Sequence, residues 1–318
     1  MTMPLDADLA RIIPLLPLQD VPTLTPENVR ESMRALAASR ANVPLPEPGS
    51  VEDATVPGPA GPIPVRIYRT TRKPAPTVMY FHGGGWVGGD LDTHDRAVRQ
   101  MAIELDCTVV SVHYRRPPEA KFPAAFDDAL AATRHVAAHQ AVYGGAGQPL
   151  GVSGDSAGGN LAAAVALACR DGGPRIAAQL LIYPVTDVRG SFRDAEENAR
   201  FPSRAQNAEG YFLTLEVMQW FADHYLEGGA HDTDPRVSPL RAASHAGLPP
   251  AVVTVAQYDP LRDEGAAYAQ ALRAAGVRTI EHHGAGLIHG YFGMGAASAA
   301  ANAEGQRARA DFRMLLEG

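Results

Sequence analysis

Six short runs constrain the fold of this chain more than anything else in it: TVMYFH, CTVVSVHY, PLGVSGD, AAQLLIYP, AVVTVAQYD and RTIEHH. Several are almost wholly apolar. A strand that is apolar on both faces must be covered on both faces, which is the condition of a parallel sheet between helices. Segments at helical period separate and follow the runs: HDRAVRQMAIEL, AAFDDALAATRHVAAHQ, GNLAAAVALACR, EGAAYAQALRAAG and NAEGQRARADFRMLLE. The alternation predicts an α/β fold with a mostly parallel central sheet flanked by helices. Ahead of it, residues 51–57 and 63–69 alternate apolar and polar around Gly-Pro-Ala-Gly-Pro, which predicts an antiparallel hairpin.

Two regions stand outside this rhythm. The first 45 residues read as helical, with Thr25 as an N-cap, Pro26 at the first helical position and Glu27 in the first turn, and the proline-rich VPLPEPGS closes them. From Asp187 to about Leu226 no strand pattern occurs; a polar loop, RDAEENARFPSRAQNAEG, leads into an aromatic helix, YFLTLEVMQWFADHYL. An insertion of that length in a βαβ series is usually functional.

Composition narrows the function. The 318 residues are 46% hydrophobic and 20% charged, with net charge -7, so bulk charge gives no support for a nucleic-acid partner. No apolar run reaches the roughly 18 residues of a membrane span. The N-terminal MTMPLDADLARIIPLLP carries acids where a secretion signal is basic, so the expected location is cytoplasmic. The two cysteines, Cys107 and Cys169, lie in a strand and a helix pattern and read as free buried thiols. No His or Cys spacing suits a metal, the adjacent His282 and His283 included, and no cofactor is expected.

The chemistry enters with Gly154-Asp155-Ser156-Ala157-Gly158, a G-x-S-x-G between an apolar strand and a helix. Roughly 0.1 such matches arise by chance in this composition, and the strand–turn–helix context is the one a nucleophile elbow requires. Flanking glycines allow the sharp turn that exposes the Ser156 hydroxyl, and the following helix supplies free amides. A serine attacking a carbonyl builds an oxyanion that needs preorganised N–H donors. Ala157 is one expected donor. His82-Gly83-Gly84-Gly85 follows an earlier strand; its chance expectation is on the order of 0.01, and Gly83 and Gly84 are the other expected donors. His82, Gly85 and Asp155 are expected to support this loop rather than react. In the chain order nucleophile, acid, base, Asp259 at a strand end is the expected acid and Asp263 a helix-start residue. His289, in the glycine-flanked loop GAGLIHGYFGM, free of strand geometry, is the expected base, ahead of His282 and His283. Trp86, Tyr211 and Phe212 are candidates for the substrate wall, and Trp220 and Phe221 read either with them or as packing residues.

The series HGGGW, YRRPPEAKFPAAFDDA, GDSAGGNLA, YDPLRDEG and LIHGYF resembles the hormone-sensitive-lipase-like esterases, the bacterial family IV carboxylesterases, over nearly the whole chain. The resemblance implies an α/β-hydrolase fold with a helical cap, residues 1–45 and 187–226, on a catalytic core of residues 46–186 and 227–318. It implies Ser156, Asp259 and His289 as triad, a small-molecule ester as substrate, and a homodimer through an edge strand near Thr279. The chain departs from the family pattern at His113 and Arg116, where DYRLAPE is usual, and at Tyr291, where H-G-F is usual. The same triad serves amidases, deacetylases and lactonases, and the same fold serves ligand-binding receptors that lack the histidine.

Overall fold

The computed structural model describes residues 3–17, 20–39 and 43–318. Eight strands form one sheet: β1 Ser50–Val56, β2 Ile63–Arg69, β3 Thr77–Phe81, β4 Thr108–Val112, β5 Leu150–Asp155, β6 Ala178–Ile182, β7 Ala251–Tyr258 and β8 Thr279–Ile288. Their order across the sheet is β1-β2-β4-β3-β5-β6-β7-β8. The hairpin β1–β2 and the β2–β4 pair are antiparallel, and every other pair is parallel. Strands β3, β4 and β6 are buried along their whole length, as their apolar runs require.

The chain opens with α1 Ala7–Ile12 and α2 Pro26–Ala38. Thr25 caps α2 with Asn28 reciprocating, and Pro26 begins it, so this boundary follows directly from local chemistry. The helices that cover the sheet are α3 Leu91–Leu105, α4 Ala124–Ala138 with the short α5 Gln140–Tyr143, and α6 Ala157–Arg170. The insertion carries α7 Ala195–Ala199, α8 Ser203–Gln206 and α9 Leu215–Tyr225, and the chain ends through α10 Arg262–Ala274 and α11 Ala299–Glu317. Helices α4, α6 and α10 bury their apolar faces with one side of the sheet, including Phe126, Leu161, Val165 and Tyr268. Helices α3 and α11 cover the other side with Val98, Met101, Ala308 and Phe312. Among the described residues, no helix is long and apolar enough to cross a membrane. Cys107 and Cys169 are free and buried.

The order reverses at the β3–β5 pair, since β4 lies on one side of β3 and β5 on the other. That switch point opens a crevice at the strands' C-terminal ends. The loops after β3, β5, β7 and β8 all emerge there.

Candidate active site

Ser156 follows β5 directly and is the N-cap of α6, with φ 56 and ψ −120. A serine in this region is strained by about 1–3 kcal/mol, which the surrounding structure has to impose. Gly158 makes the turn possible, because a Cβ there would collide with the Phe81 carbonyl. Ala157, as the first residue of α6, has an amide with no acceptor inside the helix.

Asp259 follows β7, and His289 follows β8. The sequence reading set His289 in a loop free of strand geometry; instead β8 continues through Gly284-Ala285-Gly286 to Ile288, and His289 stands immediately at its end. Both side chains are buried. His289 Nδ1 is 2.7 Å from Asp259 Oδ2, and Nε2 is 3.0 Å from Ser156 Oγ. With Asp259 accepting, Nδ1 carries the proton and Nε2 faces the serine as an acceptor. The Asp259 carboxylate also accepts from the Leu261 amide at 2.8 Å, which fixes its orientation. Tyr183, at the end of β6 with φ 34, packs its ring 4.6 Å from the His289 ring. Nothing in the sequence singled out Tyr183. Asp263 lies in the first turn of α10, paired with Arg262. His282 and His283 lie away from this group: His282 bonds to Asp311, and His283 pairs with Glu281.

The three glycines after His82 answer to different neighbours. The Gly83 N–H donates to Asp155 Oδ1 at 2.9 Å, and a Cβ on Gly83 would strike that carboxylate. The reading of Gly83 as an oxyanion donor is therefore corrected: one N–H has one proton, and this one is committed to Asp155. Gly84 and Gly85 have φ +113 and +58 and line the cavity beside Ser156. A Cβ on Gly85 would overlap the Phe221 ring, so the aromatic of α9 rests directly on this loop.

His82 supports the loop from beneath. Its Nδ1 is 3.0 Å from the Gly83 carbonyl, its ring stacks on Tyr114 at 4.3 Å, and Tyr114 donates to the His82 carbonyl at 2.7 Å. Burial holds the His82 pKa well below its usual range, so the ring is neutral and Nδ1–H donates. Asp155 is largely buried, which by itself favours the acid form; the neighbouring His94, the Tyr80 hydroxyl and the Gly83 amide outweigh this and hold it at about 2. Burial disfavours the His94 imidazolium in turn, yet Asp155 raises its pKa. The elbow and the glycine loop are thus tied through one ionised carboxylate.

The cavity above Ser156 is about 660 Å³. Phe212, Met218 and Phe221 line it from the insertion and Met33 from α2. Trp86 borders it but is buried, its ring stacked on Tyr225 at 4.2 Å and 4°. Tyr211 does not line it and packs on Tyr258 at 4.9 Å. Of the two departures near residue 115, Arg116 reaches the Gly89 carbonyl and His113 leaves Nδ1 without a partner. Among the described residues, no group of three or more His, Cys, Asp or Glu is placed to hold a metal.

A family model described as alpha/beta hydrolase fold matches residues 78–293. The chain belongs to the α/β-hydrolases. Within them, this hydrolase is similar to esterases. It is 43% identical to esterase LipI of Mycobacterium tuberculosis, over 92% of this chain and 89% of that protein. It is 36% identical to an ethyl acetate hydrolase of Pseudomonas putida, over 83% and 81% of the two chains. The solved monoclinic form of the Pyrobaculum calidifontis esterase superposes with a TM-score of 0.89 at 36% identity, covering 99% of this chain and 100% of that one. These likenesses place the hydrolase among the hormone-sensitive-lipase-like carboxylesterases.

Proposed function

We propose that this carboxylesterase hydrolyses short- to medium-chain carboxylic esters through an acyl-enzyme on Ser156. The observation that carries the reading is the continuous hydrogen-bonded line Ser156–His289–Asp259, at 3.0 and 2.7 Å, on the floor of a cavity. His289 Nε2 takes the Ser156 proton as Oγ attacks the ester carbonyl, and Asp259 holds the ring and the charge it gains. The amides of Gly84, Gly85 and Ala157 receive the oxyanion. The alcohol leaves with that proton. Water then gives a proton to His289 as it attacks the acyl carbon, and Ser156 recovers its own as the carboxylic acid departs.

Residues 1–45 and 187–226 act as the cap and residues 46–186 and 227–318 as the core. Support comes from Met33, Phe212, Met218 and Phe221, which reach the cavity from the two cap segments. An aromatic-walled cavity under a cap favours short and medium acyl chains, and the activity named for the Pseudomonas putida relative lies in that range. Turnover of p-nitrophenyl esters from acetate to palmitate, wild type beside Ser156→Ala, tests the reading. Wild-type rates peak at short chains and the variant loses all but about 10⁻³ of them or less. Variant activity near wild type, or equal rates on palmitate, overturns it.

A cytoplasmic location and a homodimer across β8 near Thr279 belong to the same proposal. β8 is an edge strand, and the N-terminal segment meets it near Gly286, where the Asp6 amide donates to the carbonyl. Light scattering of wild type and Thr279→Pro checks the dimer: the variant shifts toward monomer, and a monomeric wild type ends the idea. Cell fractionation checks the location.

A further inference from the structure

The polar stretch of the insertion, which reads in sequence as a polar loop, contains the most deeply buried cation among the described residues. Arg204 is 1% exposed and lies against the rings of Phe192 and Phe201 at 4.8 and 4.6 Å. It donates to Glu264 at 2.6 Å, to the Asp187 carbonyl at 2.6 Å and to Asn198 at 2.9 Å. Glu264, fully buried in the first turn of α10, also accepts from the Thr186 amide at 2.8 Å. The start of the insertion, its middle and the start of α10 are joined at one point.

That point lies beside the turn that carries Asp259. From α8 and its C-cap, Ser203 Oγ donates to the Pro260 carbonyl at 2.8 Å and receives the Asp263 amide at 3.1 Å, while its own N–H donates to Asp263 at 2.6 Å. Asn207, 3% exposed, donates from Nδ2 to the Asp259 carbonyl at 3.1 Å. Within its own turn, the Asp259 main chain is otherwise held by the Arg262 amide on the same carbonyl.

We propose that residues 203–207 form a clamp, with Asn207 and Arg204 as positioning residues for Asp259, so that the seating of the inserted segment sets the alignment of the acid and base. Asn207 holds the Asp259 backbone directly. Arg204 fixes α8, and with it Ser203 and Asn207, against α10. The inference rests on the Ser156–His289–Asp259 reading and goes beyond it, because it makes an insertion that covers the cavity also a determinant of the acid's geometry. A misplacement of about 1 Å in such an array costs on the order of 10²-fold.

The test uses the full chain with p-nitrophenyl butyrate, Asn207→Ala, Asn207→Asp, Arg204→Met and Arg204→Lys, and rates expressed per active site titrated with an organophosphate. Asn207→Ala and Asn207→Asp each lower kcat roughly 10- to 100-fold with KM within about threefold. Arg204→Lys recovers part of the loss seen in Arg204→Met. The far-downfield proton NMR signal of the His289–Asp259 hydrogen bond shifts or broadens in the impaired variants. Unchanged kcat per titrated site and an unchanged downfield signal, with only the melting temperature lowered, overturn the clamp. If Arg204→Met does not fold, the two Asn207 variants decide. Failure of the organophosphate to react with the wild type would instead remove the triad reading beneath it.

Discussion

The two segments above the cavity are attached in opposite ways. The N-terminal one buries Leu9, Leu16 and Val29, but its ion pairs each keep one partner in water. Arg30 pairs with the exposed Glu119 and donates to the Val87 and Pro117 carbonyls, and Arg34, half exposed, pairs with Asp90. Helix α2 fully buries one residue, Val29. The inserted segment is held from inside, through Arg204 and Glu264 and through α9, which buries Val217, Met218, Phe221, Ala222 and Tyr225. Ion pairs in water are worth roughly 0–1 kcal/mol. Breaking a buried pair by removing one partner costs about 3–5 kcal/mol, because the other charge is left stranded. The two segments that line the cavity therefore rest on two energetic footings, and the insertion has the firmer one.

The largest test of this contrast is Glu264→Ala, which leaves the Arg204 guanidinium buried without its carboxylate. Urea unfolding at pH 8 should show a loss of about 3–5 kcal/mol. A loss below about 1 kcal/mol would put both segments on the same footing.

A second test is pH. Burial pushes the Glu264 carboxyl up to about 7 from its usual 4.5, against the pull of Arg204 and the Thr186 amide. A folded-state pKa above the unfolded one means that the folded protein binds more protons between those values. The Glu264 contribution is then fully present below about pH 4.5 and is lost as pH rises toward 7. The N-terminal anchors run the other way. Arg30 holds Glu119 at about 2. Burial opposes ionisation of Asp90, but the Thr93 amide and Arg34 hold it at about 2, so these attachments weaken only below pH 4. From pH 5 to 7.5 the wild-type urea midpoint should fall relative to Glu264→Gln. A gap that grows in the wild type's favour would mean that the ion pair outweighs burial.

The smallest effect sharpens the other side. Arg34→Ala should cost less than about 1 kcal/mol in the same urea experiment, and less still at 0.5 M salt. A loss of 3 kcal/mol would mean that the N-terminal segment is keyed into the fold as deeply as the insertion.

Much of this was legible along the chain. Apolar strand runs, the Thr25 cap and the strand–turn–helix around Ser156 are local signals, and local sterics and burial decide them. Asp259 stood out because it ends an apolar strand pattern, and His289 because it follows Ser156 and Asp259 in the order such enzymes require. Three things were not. Gly83 reads as an oxyanion donor until Asp155, 72 positions away, is seen to accept its proton. Tyr211 reads as a substrate wall until it is found packed on Tyr258, and Trp86, which borders the cavity, is buried against Tyr225. Arg204 sits in a run of charges that nothing distinguishes from a solvated loop.

By itself, then, the sequence determined the layered α/β sheet and singled out Ser156, Asp259 and His289 as candidates, because apolar periodicity, motif spacing and chain order are read along the chain. Only the tertiary structure decided which amides stay free, which aromatics face the cavity and which cation is buried. Those depend on partners 60 or 72 residues apart, and a hydrogen bond or a desolvated charge is assigned only when both partners are in place.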